Sequence, residues 1–182
     1  MEEETPWNRL CVDLIGPYKM QIKGKDPLIL KPVTMIDSIT RWFEVTQYRN
    51  KKMRTIAYLV ETTWMVRYPW PVEITYDRRG KFLSHEFKNI LIEIEYGIKT
   101  KPANPCNPQV NAIIERTHQL LGNFVLTYNL QETYVDGADP CMVILVAAAF
   151  ALHSMYHTTK GKRPGELFFG RDVILAINHI AD

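Results

Sequence analysis

The chain has 182 residues, 46% of them hydrophobic and 23% charged, with Lys+Arg 22 against Asp+Glu 20 and a net charge of +2. That suits one globular domain with a real core; two full domains would be crowded, and so balanced a charge fits neither a polybasic tail nor an acidic solvating chain. A nearly neutral domain still binds DNA through a local basic patch, so the total leaves partners open.

Arg9 to Ile15 alternates, with Leu10, Val12 and Leu14 on one face and Cys11, Asp13 and Ile15 on the other. This is strand periodicity, stopped by Gly16-Pro17. Leu28 to Ile36 is a second strand run, and Pro32 within it predicts an edge or an irregular start. Arg41 to Gln47 reads as a third strand after a turn at Asp37-Ser38, so the opening is an antiparallel meander. Lys51 to Tyr68 has helical spacing through Met53, Ile56, Ala57, Val60 and Trp64, and Pro69 and Pro71 end it. Val72 to Tyr76 is a short strand that leads to Asp77.

Ser84 is placed to cap a helix running to Tyr96, with Gly97 as its stop and a last strand over Ile98 to Lys101. Lys101 to Gln109 carries Pro102, Pro105 and Pro108 and reads as a loop. Asn107 then caps a long helix with Pro108 at its first position. On that helix Val110, Ile113, Ile114, Leu120, Leu121, Phe124 and Tyr128 form an apolar arc. Asn111, Glu115, His118, Gln119 and Gly122 fall opposite it, which predicts that they face outward. A further helix runs from Asp139-Pro140 to about His157, and Pro164 to Phe169 is one more helical turn closed by Gly170. The order predicts an α/β fold, a mixed sheet with helices packed on it.

Three scattered cysteines, Cys11, Cys106 and Cys141, make neither a disulfide framework nor a Cys-x-x-Cys pair, which fits a reducing compartment. His153 and His157 are four apart with Cys141 upstream, but no second Cys completes a zinc set, so no structural zinc is expected in this segment. The longest apolar run, Cys141 to Leu152, is too short to cross a bilayer, so no membrane partner is expected. Met1-Glu2-Glu3-Glu4 resembles neither a signal nor a transit peptide. No Gly-x-Ser-x-Gly elbow supports a serine hydrolase. The expectation is an intracellular domain filling 1–182, with its core over 5–172 and the ends of a fragment at either side.

Three carboxylates stand on three different elements. Asp13 interrupts an apolar strand, Asp77 follows a strand and precedes Arg78-Arg79-Gly80-Lys81, and Glu115 lies on the long helix. Acids from separate rigid elements are what divalent-metal phosphodiester chemistry needs, because Mg²⁺ takes hard oxygen ligands. Taken singly, each has an ordinary alternative: an edge-strand Asp in solvent, a turn Asp beside Gly, a solvated helix Glu.

Five blocks in order carry a resemblance. They are Pro6-Trp7-Asn8-Arg9 with Val12-Asp13-Leu14-Ile15-Gly16-Pro17, and Thr34-Met35-Ile36-Asp37 with Arg41-Trp42-Phe43. Next come Thr75-Tyr76-Asp77-Arg78 with Phe82 and His85-Glu86-Phe87, then Tyr96-Gly97-Ile98-Lys99 leading to Asn107-Pro108-Gln109-Val110-Asn111-Ala112-Ile113-Ile114-Glu115-Arg116. Pro164-Gly165-Glu166-Leu167-Phe168-Phe169-Gly170-Arg171 closes the series. Together they resemble the integrase catalytic core of gypsy-like LTR retrotransposons, a retroviral-type DDE integrase, over nearly the whole chain.

The resemblance implies an RNase H-like fold with a mixed five-stranded sheet flanked by helices. It implies trimming of 3′ ends of element DNA and their joining to target DNA. Asp13, Asp77 and Glu115 are then the catalytic and metal-binding triad, holding Mg²⁺ or Mn²⁺, two ions in the active complex. The implied partners are element-end and target DNA and further copies of the chain, and the implied location is nuclear or within virus-like particles.

Gln109, Asn111, Arg116, His118, Gln119, Arg78 and Lys81 are the candidate DNA contacts, with Arg79, Lys99 and Lys101 nearby. Arg49, Lys51, Lys52, Arg54, Lys160, Lys162 and Arg163 read as solubilising.

The chain departs from the family's pattern after Asp77. Arg79 stands where the family has Gly, and Lys81 stands where it has an acid before Phe82; Ala112 replaces a common Gly. Arg79 and Lys81 motivate one rival, a catalytically degenerate or co-opted core that binds DNA or protein. A second rival is an RNase H-like nuclease.

Overall fold

The computed structural model describes residues 5–20, 26–49, 52–76, 97–102, 108–127, 139–158 and 160–171. Asp77, Arg78, Arg79, Lys81, the helix expected from Ser84 to Tyr96 and the Asn107 cap lie outside the described residues.

One mixed sheet of five strands has the order β5-β4-β1-β6-β7. The members are β1 (Arg9–Leu14), β4 (Pro32–Asp37), β5 (Phe43–Gln47), β6 (Glu73–Tyr76) and β7 (Lys99–Pro102). The expected meander is there: β4 is antiparallel to both β1 and β5. Strands β6 and β7 continue the sheet in parallel with β1, and Val12 is opposite Tyr76.

Both faces of β1 are covered, so its alternation sorts two cores rather than a core and a solvent face. Leu10 and Val12 join Val33, Met35, Ile56, Val60, Trp64 and Ile74 on one side. Cys11 and Ile15 join Ile36, Phe43, Leu121, Val125, Ile144 and Leu145 on the other. The first core is closed by α1 (Met53–Val60), and the second by α2 (Pro108–Thr127) and α3 (Pro140–Ser154). The short α4 (Pro164–Phe169) ends at Gly170, in left-handed backbone with φ of 73°.

Four expectations are corrected. The run from Leu28 to Ile36 is two strands: β3 (Leu28–Leu30) pairs with β2 (Tyr18–Met20) in a separate ribbon, and Lys31 breaks the line. Of the two readings of Pro32, the irregular start is the one observed: β4 is interior, and Pro32 is tolerated because it opens the strand, where its missing N–H falls.

The helix expected from Lys51 to Tyr68 is α-helical only to Val60 and then widens into a π-helical turn over Glu61–Met65. There the Thr62 hydroxyl donates to the Tyr58 carbonyl at 2.8 Å, a side-chain bond that competes with the helical ladder. Helix α3 ends at Ser154, so His157 stands beyond it, in a bridge with Lys162. At its start the Asp139 side chain accepts from Cys141 N–H at 2.9 Å, a side-chain N-cap. The loop expected over Lys101 to Gln109 is shortened at both ends, since Lys101 and Pro102 belong to β7 and Pro108 and Gln109 to α2.

Candidate active site

Asp13 lies on the sheet face covered by α2 and α3, where its neighbours Cys11 and Ile15 are buried. Its side chain is half-buried. Oδ1 accepts from the Leu14 N–H at 2.7 Å, which fixes one carboxylate oxygen. Thr34 stands opposite Asp13 in the antiparallel register and is fully buried. Its hydroxyl is 3.3 Å from the Asp13 carbonyl oxygen.

The sequence pattern turned His118 outward; the structure turns it inward. Leu121 and Val125 are buried against the sheet, and the same stripe of α2 carries His118 and Gly122. Positions three, four and seven apart share a helix face, so burial of Leu121 and Val125 takes His118 with it. His118 Nε2 is 3.1 Å from the Thr34 hydroxyl, and Nδ1 is 3.7 Å from Asp13 Oδ2. Burial lowers the His118 pKa to about 4, so the ring is uncharged at neutral pH. Gly122 completes the stripe beside the Tyr18 ring, whose nearest atom would be 3.6 Å from an added Cβ.

Glu115 is exposed on α2, one turn before His118, together with exposed Arg116 and Gln119. The charge of Arg116 reaches His157, whose pKa is lowered first by burial and then by Arg41 and Arg116. Gln109 and Asn111 belong to the first turns of α2, and their side chains lie outside the described residues. Lys99 is exposed on β7. Strand β6 ends at Tyr76, opposite Val12; Asp77 follows it in the sequence and lies outside the described residues. Cys11 accepts from the Thr75 hydroxyl at 3.2 Å, and burial pushes its thiol up to about 11, which leaves it protonated and unreactive.

Sequence reasoning quoted Thr34 within a block and gave it no role. The signal that would have found it is antiparallel pairing, which sets a buried hydroxyl across from a strand carboxylate. Among the described residues no three His, Cys, Asp or Glu side chains gather as a metal cluster. Two of the three expected acids fall within that set, Asp13 and Glu115.

Comparison with known proteins supplies the frame for these residues. No family model matches the chain. It is 27% identical over 175 residues to the retrovirus-related Pol polyprotein from transposon 412 of Drosophila melanogaster, covering 92% of this chain and 13% of that polyprotein. Among solved structures, the catalytic core domain of BIV integrase superposes with a TM-score of 0.65 at 17% identity, over 90% of this chain and 95% of the other. This is the integrase catalytic-core fold.

The HTLV-2 integrase catalytic core domain, solved in complex with magnesium in a trimeric form, matches with a TM-score of 0.62 at 17% identity, over 90% of this chain and 97% of the other. The resemblance to the integrase core of LTR retrotransposons therefore holds, and so does the RNase H-like architecture. The integrase-core fold here spans a small part of the polyprotein it resembles.

Proposed function

We propose that this chain is the single-domain catalytic core of a metal-dependent polynucleotidyl transferase, which processes 3′ ends of element DNA and joins them to target DNA. The observation that supports this most is the setting of Asp13. It is a half-buried carboxylate inside an integrase-core sheet, on the face covered by the helix that bears Glu115. A carboxylate taken out of water near the end of a covered strand costs stability unless it is hydrogen-bonded or holds a cation.

Asp13, Asp77 and Glu115 are the residues to hold Mg²⁺ or Mn²⁺. Their hard oxygens suit either ion, and the Leu14 N–H already fixes one Asp13 oxygen. Bound ions supply activation of a water or 3′-hydroxyl and stabilisation of the departing oxygen. The protein's share is orientation: β1 and β4 hold Asp13, and α2 presents Glu115 with Arg116 and Gln119 on its exposed side for the DNA backbone.

The working form is an oligomer, at an intracellular, nuclear or particle-associated site. Helix α3 buries Ile144, Leu145 and Ala148 inward yet leaves Val146 and Phe150 exposed one turn apart, an apolar stripe suited to a second copy. Sedimentation velocity of Phe150→Lys checks this, with a shift toward monomer as the expected result.

The test of function is Mn²⁺-dependent strand joining or disintegration on a branched oligonucleotide, with wild type against Glu115→Gln. Activity in the wild type that falls a hundredfold or more, on the order of a lost metal ligand, is expected. Silence in both proteins, with the fold intact and no metal bound by calorimetry, would instead establish a degenerate or co-opted core.

A further inference from the structure

Three side chains from three elements form one chain of polar contacts: Thr34 on β4, His118 on α2 and Asp13 on β1. The Thr34 hydroxyl has one proton and two neighbours that could accept it. His118 Nε2 is at 3.1 Å and the Asp13 carbonyl is at 3.3 Å. Delivering the proton to Nε2 puts the ring hydrogen on Nδ1, where it faces Asp13 Oδ2 at 3.7 Å. The other tautomer sets an Nδ1 lone pair against a carboxylate oxygen, two acceptors face to face.

We propose that His118 is a positioning residue for Asp13: it accepts the Thr34 proton at Nε2 and turns an Nδ1–H donor toward Oδ2, which fixes the rotation of the carboxylate. The proposal rests on the reading of Asp13 as a metal ligand. A carboxylate held on one oxygen by the Leu14 N–H and steered on the other by His118 has less rotational freedom to lose when a cation arrives. The gap of 3.7 Å is longer than a hydrogen bond, and contacts of this kind tighten when the site fills. The same contact joins α2 to β1, and Glu115 is one helical turn away.

The first measurement is the imidazole ¹⁵N spectrum of the whole chain without metal. A protonated Nδ1 and a bare Nε2 at His118 are expected, and the reverse tautomer overturns the proposal. The second compares His118→Asn, whose amide nitrogen falls near the position of Nδ1, with His118→Gln, whose amide nitrogen falls near Nε2. Mg²⁺ alone is titrated by calorimetry into proteins whose fold is checked by circular dichroism. Asn should bind within about threefold of wild type, and Gln about tenfold more weakly; equal affinities overturn the proposal. Thr34→Val should behave like the Gln variant and Thr34→Ser like wild type. Should wild type bind no Mg²⁺ while the spectrum shows the expected tautomer, the metal reading fails alone; the tautomer result separates the two failures.

Discussion

His153 lies flat on Trp42, with ring centroids 3.7 Å apart and planes 6° from parallel, and its Nε2 meets the Phe43 carbonyl. It belongs to an aromatic core in which Trp42 also stacks on Phe168 at 5.0 Å. Burial lowers the His153 pKa to about 4, against the opposing effect of the Phe43 carbonyl. The folded protein therefore resists a proton that the unfolded chain takes up near pH 6.5.

The stabilising effect of that neutral ring is complete above pH 6.5, declines as pH falls from there to about 4, and changes no further below. Its size is on the order of 2–3 kcal/mol, and His118 adds a decline over the same window. Urea unfolding at pH 7.5 and 4.5 should show the loss. His153→Leu should flatten part of the slope. An unchanged slope in that variant would mean that the ring accepts a proton in place.

Asp37 is another deeply buried polar group whose bonds hold several segments at once. Its Oδ1 accepts from the Trp7 N–H at 3.0 Å. Its Oδ2 accepts from Ile39 N–H at 3.2 Å, Thr40 N–H at 2.7 Å and the Thr40 hydroxyl at 2.8 Å. An amide keeps only one acceptor oxygen. In Asp37→Asn, turning that oxygen onto the three donors leaves an NH₂ facing the Trp7 N–H. The expected cost is about 2–3 kcal/mol, the range for a buried bond to a charged group. Equilibrium unfolding in urea checks it, and a change under about 0.5 kcal/mol would show that the turn reorganises freely.

The sequence made the sheet legible where alternation and burial agree. Leu10, Val12, Cys11 and Ile15 sort correctly because both faces of β1 are buried, so each face keeps its period. It failed where one residue changes the count. The widened turn over Glu61–Met65 is invisible to a 3.6-residue period, since Trp64 satisfies either spacing.

Around the candidate site, the helical wheel assigned His118 by polarity. Its true side was decided by Leu121 and Val125 against the sheet and by a buried hydroxyl from β4. A partner that arrives through antiparallel pairing from another strand leaves no local mark. Asp13 was legible because a carboxylate between buried neighbours breaks the strand's own pattern.

Two glycines that approach Tyr18 should respond to alanine with opposite signs. Gly16 has φ of +78°, and an added Cβ would stand 2.9 Å from the Tyr18 backbone nitrogen and 3.1 Å from the Leu30 carbonyl oxygen. Neither atom can swing aside, so Gly16→Ala should cost about 2 kcal/mol or more from backbone strain and contact together. Gly122 sits inside α2 with helical backbone, and its added Cβ would meet the Tyr18 ring at 3.6 Å, ordinary van der Waals contact. There alanine gains helix propensity and removes freedom from the unfolded chain, so Gly122→Ala should stabilise by about 0.5–1 kcal/mol. Urea midpoints of the two variants should move in opposite directions from wild type. A loss of stability in Gly122→Ala would show that the Tyr18 ring is wedged against α2 too tightly to accept even a methyl group.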